Sequence, residues 1–299
     1  MITVIGSINL DLIANVSRLP RPGETISGSG FASSPGGKGA NQALAARRGG
    51  SDVRMIGAVG QDGFADDALA CLRQAGVNLA GVRESHSTTG TALIMVDPEG
   101  ENVIAVVPGA NGTVLPGDVA AAALEKGEIV LLQHEIPLKT VRAALEASRA
   151  KGAVSLLNTA PFLEEAADFL PLADYVIANE TEFDLYADLI GLAPGERGDR
   201  MLAFAQKMGN CLIVTLGKDG ALATRDGELL RISAPEIIPV DTVGAGDTFC
   251  GYLAAALEAG LELEEALCRA TVAGSLACLK SGAQPSIPSE ADVDEAMAG

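Results

Sequence analysis

The sequence has little to bind a transition metal with, little positive charge and no long apolar run. Histidine occurs only at His86 and His134, so a histidine-based zinc site is not expected. Five cysteines (Cys71, Cys211, Cys250, Cys268, Cys278) form no Cys-x-x-Cys pair. Their number is odd and most lie in apolar runs, which reads as reduced core residues rather than bridges or ligands, and so as a cytoplasmic protein. No apolar stretch approaches the roughly 20 residues that span a bilayer. The opening Ile2-Thr3-Val4-Ile5-Gly6 has no charged leader region or cleavage site, so no signal peptide is expected. Lys and Arg number 21 against 39 Asp and Glu, a net charge of −18 that argues against a nucleic-acid surface. It does not exclude a phosphate-bearing small molecule, because a phosphate site needs only local N–H groups and one or two cations. No Gly-x-Gly-x-x-Gly occurs. The Gly36-Gly37-Lys38-Gly39 run is not a P-loop: Ala32 stands in place of its first glycine, and Gly39 follows Lys38 instead of Ser or Thr.

What is present is 48% hydrophobic residues over 299 positions, enough for one large or two modest domains. Ile2–Ile8 reads as a buried strand. Leu12–Phe31, broken by Pro20, Pro22 and Gly23, reads as strands of a small sheet. Gly36-Gly37-Lys38-Gly39-Ala40-Asn41-Gln42 leads into a helix over Ala43–Arg48, stopped by Gly49-Gly50. Val53–Ala58 is read as a strand and Phe64–Ala75 as a helix. Thr91–Val96 and Asn102–Val107 flank the turn sequence Asp97-Pro98-Glu99-Gly100 and predict a hairpin. Beyond Pro116 the strands Ile129–Gln133, Val154–Leu157, Tyr175–Ala178 and Leu212–Leu216 are near-continuous apolar runs, as a parallel sheet buried on both faces requires. Helices over Leu138–Ala150, Glu182–Ile190 and Met201–Met208 separate them. Ala221–Ala223 and Leu229–Ile232 predict a second hairpin across Arg225-Asp226-Gly227. The expectation is one α/β domain over 1–299: a large central, mostly parallel sheet flanked by helices, with a small β-sheet lid formed by about 10–32 and 88–108.

The stretch that carries chemistry is Val240-Asp241-Thr242-Val243-Gly244-Ala245-Gly246-Asp247-Thr248-Phe249. A strand-like run ends at Pro239-Val240, two glycines follow, and an apolar helix begins after Asp247. Backbone N–H groups at such a helix start have no intrahelical partner and carry the positive end of the helix dipole, which suits a phosphate. An aspartate there repels a phosphate unless it takes a proton from the group attacking it. A helix start with an acidic residue in its first turn is the plainer reading of the same residues. Polar residues at strand ends (Asn9, Asp11, Glu135, Asn158, Asn179–Glu182, Thr215, Asp241) point to a cleft at the carboxyl edge of the sheet, although capping explains Thr181 and Asn179 equally. His134, a lone histidine at a strand end, reads as packed rather than as a base.

The chain resembles the PfkB carbohydrate-kinase family. The resemblance rests on Gly6-Ser7-Ile8-Asn9-x-Asp11, Gly36–Ala43, Ser87-Thr88-x-Gly90, Gly109-Ala110-Asn111, Asn179–Glu182, Asp241–Phe249 and Gly282-Ala283-Gln284-Pro285-Ser286, in order along nearly the whole chain. It implies ATP-dependent phosphorylation of D-ribose at O5, or of 2-deoxyribose, fructose, adenosine or pseudouridine. Asp247 would be the general base, with Gly244, Ala245 and Gly246 as the anion hole. Asn9, Asp11, Gly37, Lys38, Asn41, Glu135 and Asp247 would hold the sugar. Asn179, Thr215, Gly217, Gly220 and Gly246 would line the nucleotide site. Glu182 would hold Mg²⁺ through water. Asp241, Val243, Ala277, Lys280, Gly282 and Ser286 would surround K⁺ or another monovalent cation. The lid would also pair two subunits into a homodimer. Two departures stand out: Asn158-Thr159-Ala160-Pro161 replaces the family's Asn-Pro-Ala-Pro, and Ala270 is read at the position that usually bears Asn or His near the adenine. A non-catalytic binding protein on the same scaffold would be expected to have lost Asp247 or the glycines, and both are intact.

Overall fold

The computed structural model describes residues 1–298, and in them seven parallel strands and one antiparallel hairpin form a single sheet. The first half of the chain contributes β1 (Ile2–Ile5), β2 (Asn9–Val16), β3 (Gly28–Gly36), α1 (Lys38–Arg48), β4 (Val53–Gly60), α2 (Phe64–Ala75), β5 (Asn78–Ser85), β6 (Gly90–Val96), β7 (Asn102–Val107), α3 (Pro116–Ala122), β8 (Ile129–Leu132) and α4 (Leu138–Lys151). The second half adds β9 (Val154–Asn158), β10 (Tyr175–Asn179), α5 (Glu180–Leu189), α6 (Arg197–Met208), β11 (Cys211–Thr215), β12 (Ala221–Arg225), β13 (Glu228–Ile232), α7 (Ala245–Glu258), α8 (Leu263–Ala277), α9 (Ala283–Ser286) and α10 (Glu290–Ala298). The nine-stranded order is β13-β12-β11-β10-β9-β8-β1-β4-β5.

Alternation along each central strand divides its side chains between two cores. Ile2, Val4, Ile129, Leu131, Ile177 and Ile213 pack with α1, α7 and α8 on one face. Ile5, Val130, Leu132, Val176, Val214 and the α3–α6 side chains fill the other. Both faces are covered, which is why these strands read as unbroken apolar runs. Among the described residues no helix is long and apolar enough to cross a membrane.

A second sheet, ordered β3-β2-β6-β7, stands on the edge of the first. Asn9 pairs with both Gly36 and Gly90, so β2, β3 and β6 all leave the main body at one level.

Several elements differ from the sequence expectation. The strand expected over Ile2–Ile8 stops at Ile5, and the small sheet takes up β2 from Asn9. Helix α1 begins at Lys38 rather than Ala43, because Gly39 lies against the Gly6 and Ser7 backbone, where a Cβ would sit 2.6 Å from the Ser7 nitrogen. Helix α5 begins two residues before Glu182, at Glu180. Strand β5 was not anticipated: it is a half-exposed edge strand containing Arg83 and Glu84, without an apolar run. The strand-like run ending at Pro239-Val240 forms no strand. Pro235 and Pro239 cannot donate to a ladder, and Ile238 is 89% exposed.

Candidate active site

The carboxyl ends of β1, β8, β9, β10 and β11 lie along one edge of the sheet, and the chemically capable side chains gather above it. Asp247 sits in the first turn of α7 and is only 7% exposed. The turn before the helix needs Gly244 in a left-handed conformation, φ 77°, with the Ala283 backbone pressed against it. Gly246 is exposed, with open space where a side chain would stand, and the Ala245 N–H donates to the Thr242 carbonyl at 3.3 Å. Helix α7 lies so close to α1 that a Cβ on Gly251 would collide with Ala45 and come within 2.6 Å of the Gln42 carbonyl. That approach sets two α1 amides on the Asp247 carboxylate: Asn41 Nδ2 donates to Oδ2 at 2.9 Å, and Gln42 Nε2 to Oδ1 at 3.0 Å.

Facing this pair are two more carboxylates. Burial, then Glu135 and Asp247, push the Asp11 carboxyl up to about 6. The Glu135 carboxylate accepts from the Ser7 hydroxyl at 2.5 Å and from the Lys38 N–H at 3.0 Å. The Lys38 ammonium is held above its ordinary range, most of all by Asp247, against the opposing effect of burial. Asn9 Oδ1 accepts from Asn111 Nδ2 at 2.7 Å, and Asn111 also clamps the Ile8 N–H at 2.9 Å. Asn9 is thereby left its amide donors. Asn41 Oδ1 is buried without a partner, an acceptor open to a ligand hydroxyl. Gly37 lies against the Asn9 backbone. Asp11, Lys38, Asn41, Glu135 and Asp247 are thus drawn into one neighbourhood, with Asn9 and Gly37 beside it, whose donors and acceptors suit a polyhydroxylated ligand.

The residues expected to line a nucleotide lie beside it. Asn179 and Thr215 are register partners at the ends of β10 and β11. Gly217 borders open space, whereas Gly220 is a packing glycine pressed against the Ile232 carbonyl. Asn179 caps α5: its side chain accepts the Glu182 N–H at 2.8 Å while Glu182 Oε2 accepts the Asn179 N–H at 3.1 Å. The same oxygen accepts from Thr159 Oγ1 at 3.2 Å. Of the third group, Asp241, Val243 and Gly282 are tied together, and the contacts of Ala277, Lys280 and Ser286 are local. Asp241 accepts N–H groups from Val243 and Gly282 at 3.0 and 2.9 Å, the Lys280 N–H reaches the Ala277 carbonyl at 3.5 Å, and Ser286 Oγ donates to the Ala283 carbonyl.

Ala270 is fully buried in the core at α8; Thr271, beside it, carries a buried hydroxyl without a partner. His134 is packed edge-on against Phe169, its Nδ1 3.1 Å from the Pro161 carbonyl oxygen, and burial lowers it to about 4. Ser7, Gln42, Asn111 and Gln133 were not singled out as site residues. Three lie inside the recognised motif runs, but their roles arise only from contacts across the fold.

A family model described as pfkB family carbohydrate kinase matches residues 1–290. The chain is 37% identical to a ribokinase of Lactococcus lactis subsp. lactis, over 98% of this chain and 95% of that one. It is likewise 37% identical to a deoxyribokinase of Salmonella typhimurium, over 96% and 95%. Among solved structures, Arabidopsis thaliana ribokinase complexed with ribose and ATP superimposes with a TM-score of 0.86 at 32% identity, covering 98% of this chain and 97% of that one.

Proposed function

The chain belongs to the pfkB family of carbohydrate kinases, and from that premise we propose that it transfers the γ-phosphoryl group of ATP to the 5-hydroxyl of D-ribose, giving ribose 5-phosphate and ADP. The observation that carries this reading is the Asp247 carboxylate, buried at the start of α7, fixed by two amides and ringed by Asp11, Glu135, Lys38 and Asn41. Asn9, Asp11, Asn41 and Glu135 hold the sugar hydroxyls, and Gly37 lets the backbone approach the ring. Asp247 takes the 5-hydroxyl proton as the oxygen–phosphorus bond forms and the bond to the ADP oxygen breaks. Amides at Gly244–Gly246 and the Lys38 ammonium neutralise charge on the moving group. Asn179, Thr215 and Gly217 line the nucleotide, and Gly220 shapes the turn behind them.

Among the described residues no group of three His, Cys, Asp or Glu side chains could cage a metal. A Mg²⁺ ion fits here only as Mg²⁺ commonly binds, through phosphate oxygens, water and one carboxylate. Glu182 has one oxygen outside its capping contacts for that purpose. The hard oxygens around Asp241, Val243, Ala277, Lys280, Gly282 and Ser286 fit a monovalent cation such as K⁺. These ions would supply positive charge to the phosphoryl group. The four-stranded sheet acts as the lid, with about 10–32 and 88–108 as its strands, and it pairs two copies in a cytoplasmic homodimer.

The test is an ADP-release assay with ribose, 2-deoxyribose, fructose, adenosine and pseudouridine. The reading expects the highest kcat/KM on ribose. Failure of ribose where another acceptor turns over retires it. Equal identity to a deoxyribokinase makes 2-deoxyribose the second reading.

A further inference from the structure

We infer that Gln42, held by Gln133, is a positioning residue for the Asp247 carboxylate, and that the pair assigns the proton-accepting role to Asp247 Oδ2. The inference rests on the proposed role of Asp247 as the base.

Gln42 and Gln133 are both fully buried. Gln133 Oε1 occupies the space that a side chain on Gly6 would fill. Its Nε2 is thereby directed to Gln42 Oε1, at 2.7 Å. Gln42 Nε2 in turn donates to Asp247 Oδ1 at 3.0 Å, with a longer contact of 3.4 Å to Asn158 Oδ1. An ionised carboxylate accepts and never donates, so the amide end facing it has to be the NH₂ group. The direction of the relay is set from the carboxylate end: Gln42 must donate to Asp247, so its oxygen faces Gln133, which must in turn present its NH₂ group.

The other carboxylate oxygen is held differently. Asn41 donates to Oδ2, but Asn41 borders the cleft and its own Oδ1 has no partner. A sugar hydroxyl entering there regroups Asn41 and meets Oδ2. Gln42 is fully buried, and its only other acceptor is the more distant Asn158 Oδ1. Oδ1 is thus the anchored oxygen and Oδ2 the reactive one. The charged groups around them are Lys38 from α1, Asp11 from β2, Glu135 after β8 and Glu182 from α5, with the Cys250 thiol one turn along α7. Only Lys38 favours the ionised form among these, so the base also draws on neutral donors, Asn41 on Oδ2 and the Gln42 relay on Oδ1. A donor to the charged form lowers a carboxyl pKa, and its loss raises it.

The test is the pH dependence of the single-turnover phosphoryl-transfer rate with saturating ribose and ATP. Gln42→Met keeps the length of the side chain and removes the donor. It is expected to move the acid limb of the profile up by about one pH unit, a tenfold change in proton affinity, while ribose KM stays within about threefold. Gln133→Met is expected to move the limb in the same direction by less. An unmoved limb in a Gln42→Met protein that melts cooperatively overturns the inference. If that variant does not fold, an unmoved limb in Gln133→Met overturns it equally. Asp247→Asn separates the two layers. Wild-type turnover in that variant sinks the base itself. Its inactivity, beside unshifted profiles in the glutamine variants, sinks only the positioning role.

Discussion

At the scale of single residues, the cleft concentrates negative charge where the ligand brings hydroxyls. Asp11 bears most of the tension. Its carboxyl is raised to about 6 by burial and by Glu135 and Asp247. A raised carboxyl pKa means that ionisation costs stability. The cost is absent well below 3.8, grows as pH climbs from 3.8 to about 6, and is fully present at pH 8. Asp11→Asn is therefore expected to stabilise the ligand-free protein at pH 8 by on the order of 1–3 kcal/mol, seen as a higher melting temperature, and to lose most of that advantage near pH 4. The same substitution removes a sugar acceptor, so ribose KM should climb steeply. In the wild-type protein, ribose KM should rise as pH falls through about 6, because protonated Asp11 no longer offers two acceptor oxygens. Thermal melts and initial rates across pH 4–8 check both. A pH-independent KM over that range contradicts the assignment of Asp11 to the sugar.

At the scale of elements, the site depends on how tightly α7 lies against α1. Gly251→Ala places a methyl against Ala45 and the Gln42 carbonyl. Overpacking of this kind costs about 1–3 kcal/mol. Differential scanning calorimetry should show a lower melting temperature, and kcat should fall because the Gln42 amide is pushed off Asp247. An unchanged kcat in the destabilised variant would show that the site tolerates the displacement. The capping box of α5 makes a second, separable prediction. Asn179→Ala removes a cap that is typically worth about 1 kcal/mol, so stability falls, and ATP KM rises if the same side chain also meets the nucleotide. The elements divide by how they were legible in the sequence. β1, β8, β10 and β11 are buried on both faces, so their runs of Ile, Val and Leu announce them. β5 is a half-exposed edge whose polar residues blur any pattern, and the exposed apolar residues before Val240 mimic a strand without pairing in one. The start of α1 was hidden because glycines there signal a loop, whereas here they allow helix and strand backbones to touch.

At the scale of the whole molecule, the proposed site residues come from four separate stretches spread over most of the chain. Asp247, Asn9, Asp11, Lys38, Asn41 and Glu135 were readable because each sits in a short run with a recognisable chemical rationale. Gln133 was not, because its meaning comes from Gly6 and Gln42, 127 and 91 residues away. The small sheet offers the prediction that belongs to this scale. Pairing of Asp11 with Ala92, and of Ala92 with Val106, sets Val106 on the face that carries Asp11, and Ile104 shares that face. Both are about half exposed, at 55% and 52%. If this face meets a second copy, the double substitution Ile104→Glu with Val106→Glu should halve the mass seen by light scattering and raise ribose KM. A wild-type mass of one chain contradicts the homodimer directly.

The account turns on Asp247 removing the sugar proton, and Asp247→Asn tests it most directly. Single-turnover phosphoryl transfer and calorimetric ribose binding should be measured on the same preparation. The expected result is a rate loss of about 10²–10⁴, the usual share of a general base, with ribose affinity changed only a few-fold. Phosphoryl transfer at the wild-type rate, or a variant that loses ribose binding while its residual transfer rate stays normal, would contradict the account.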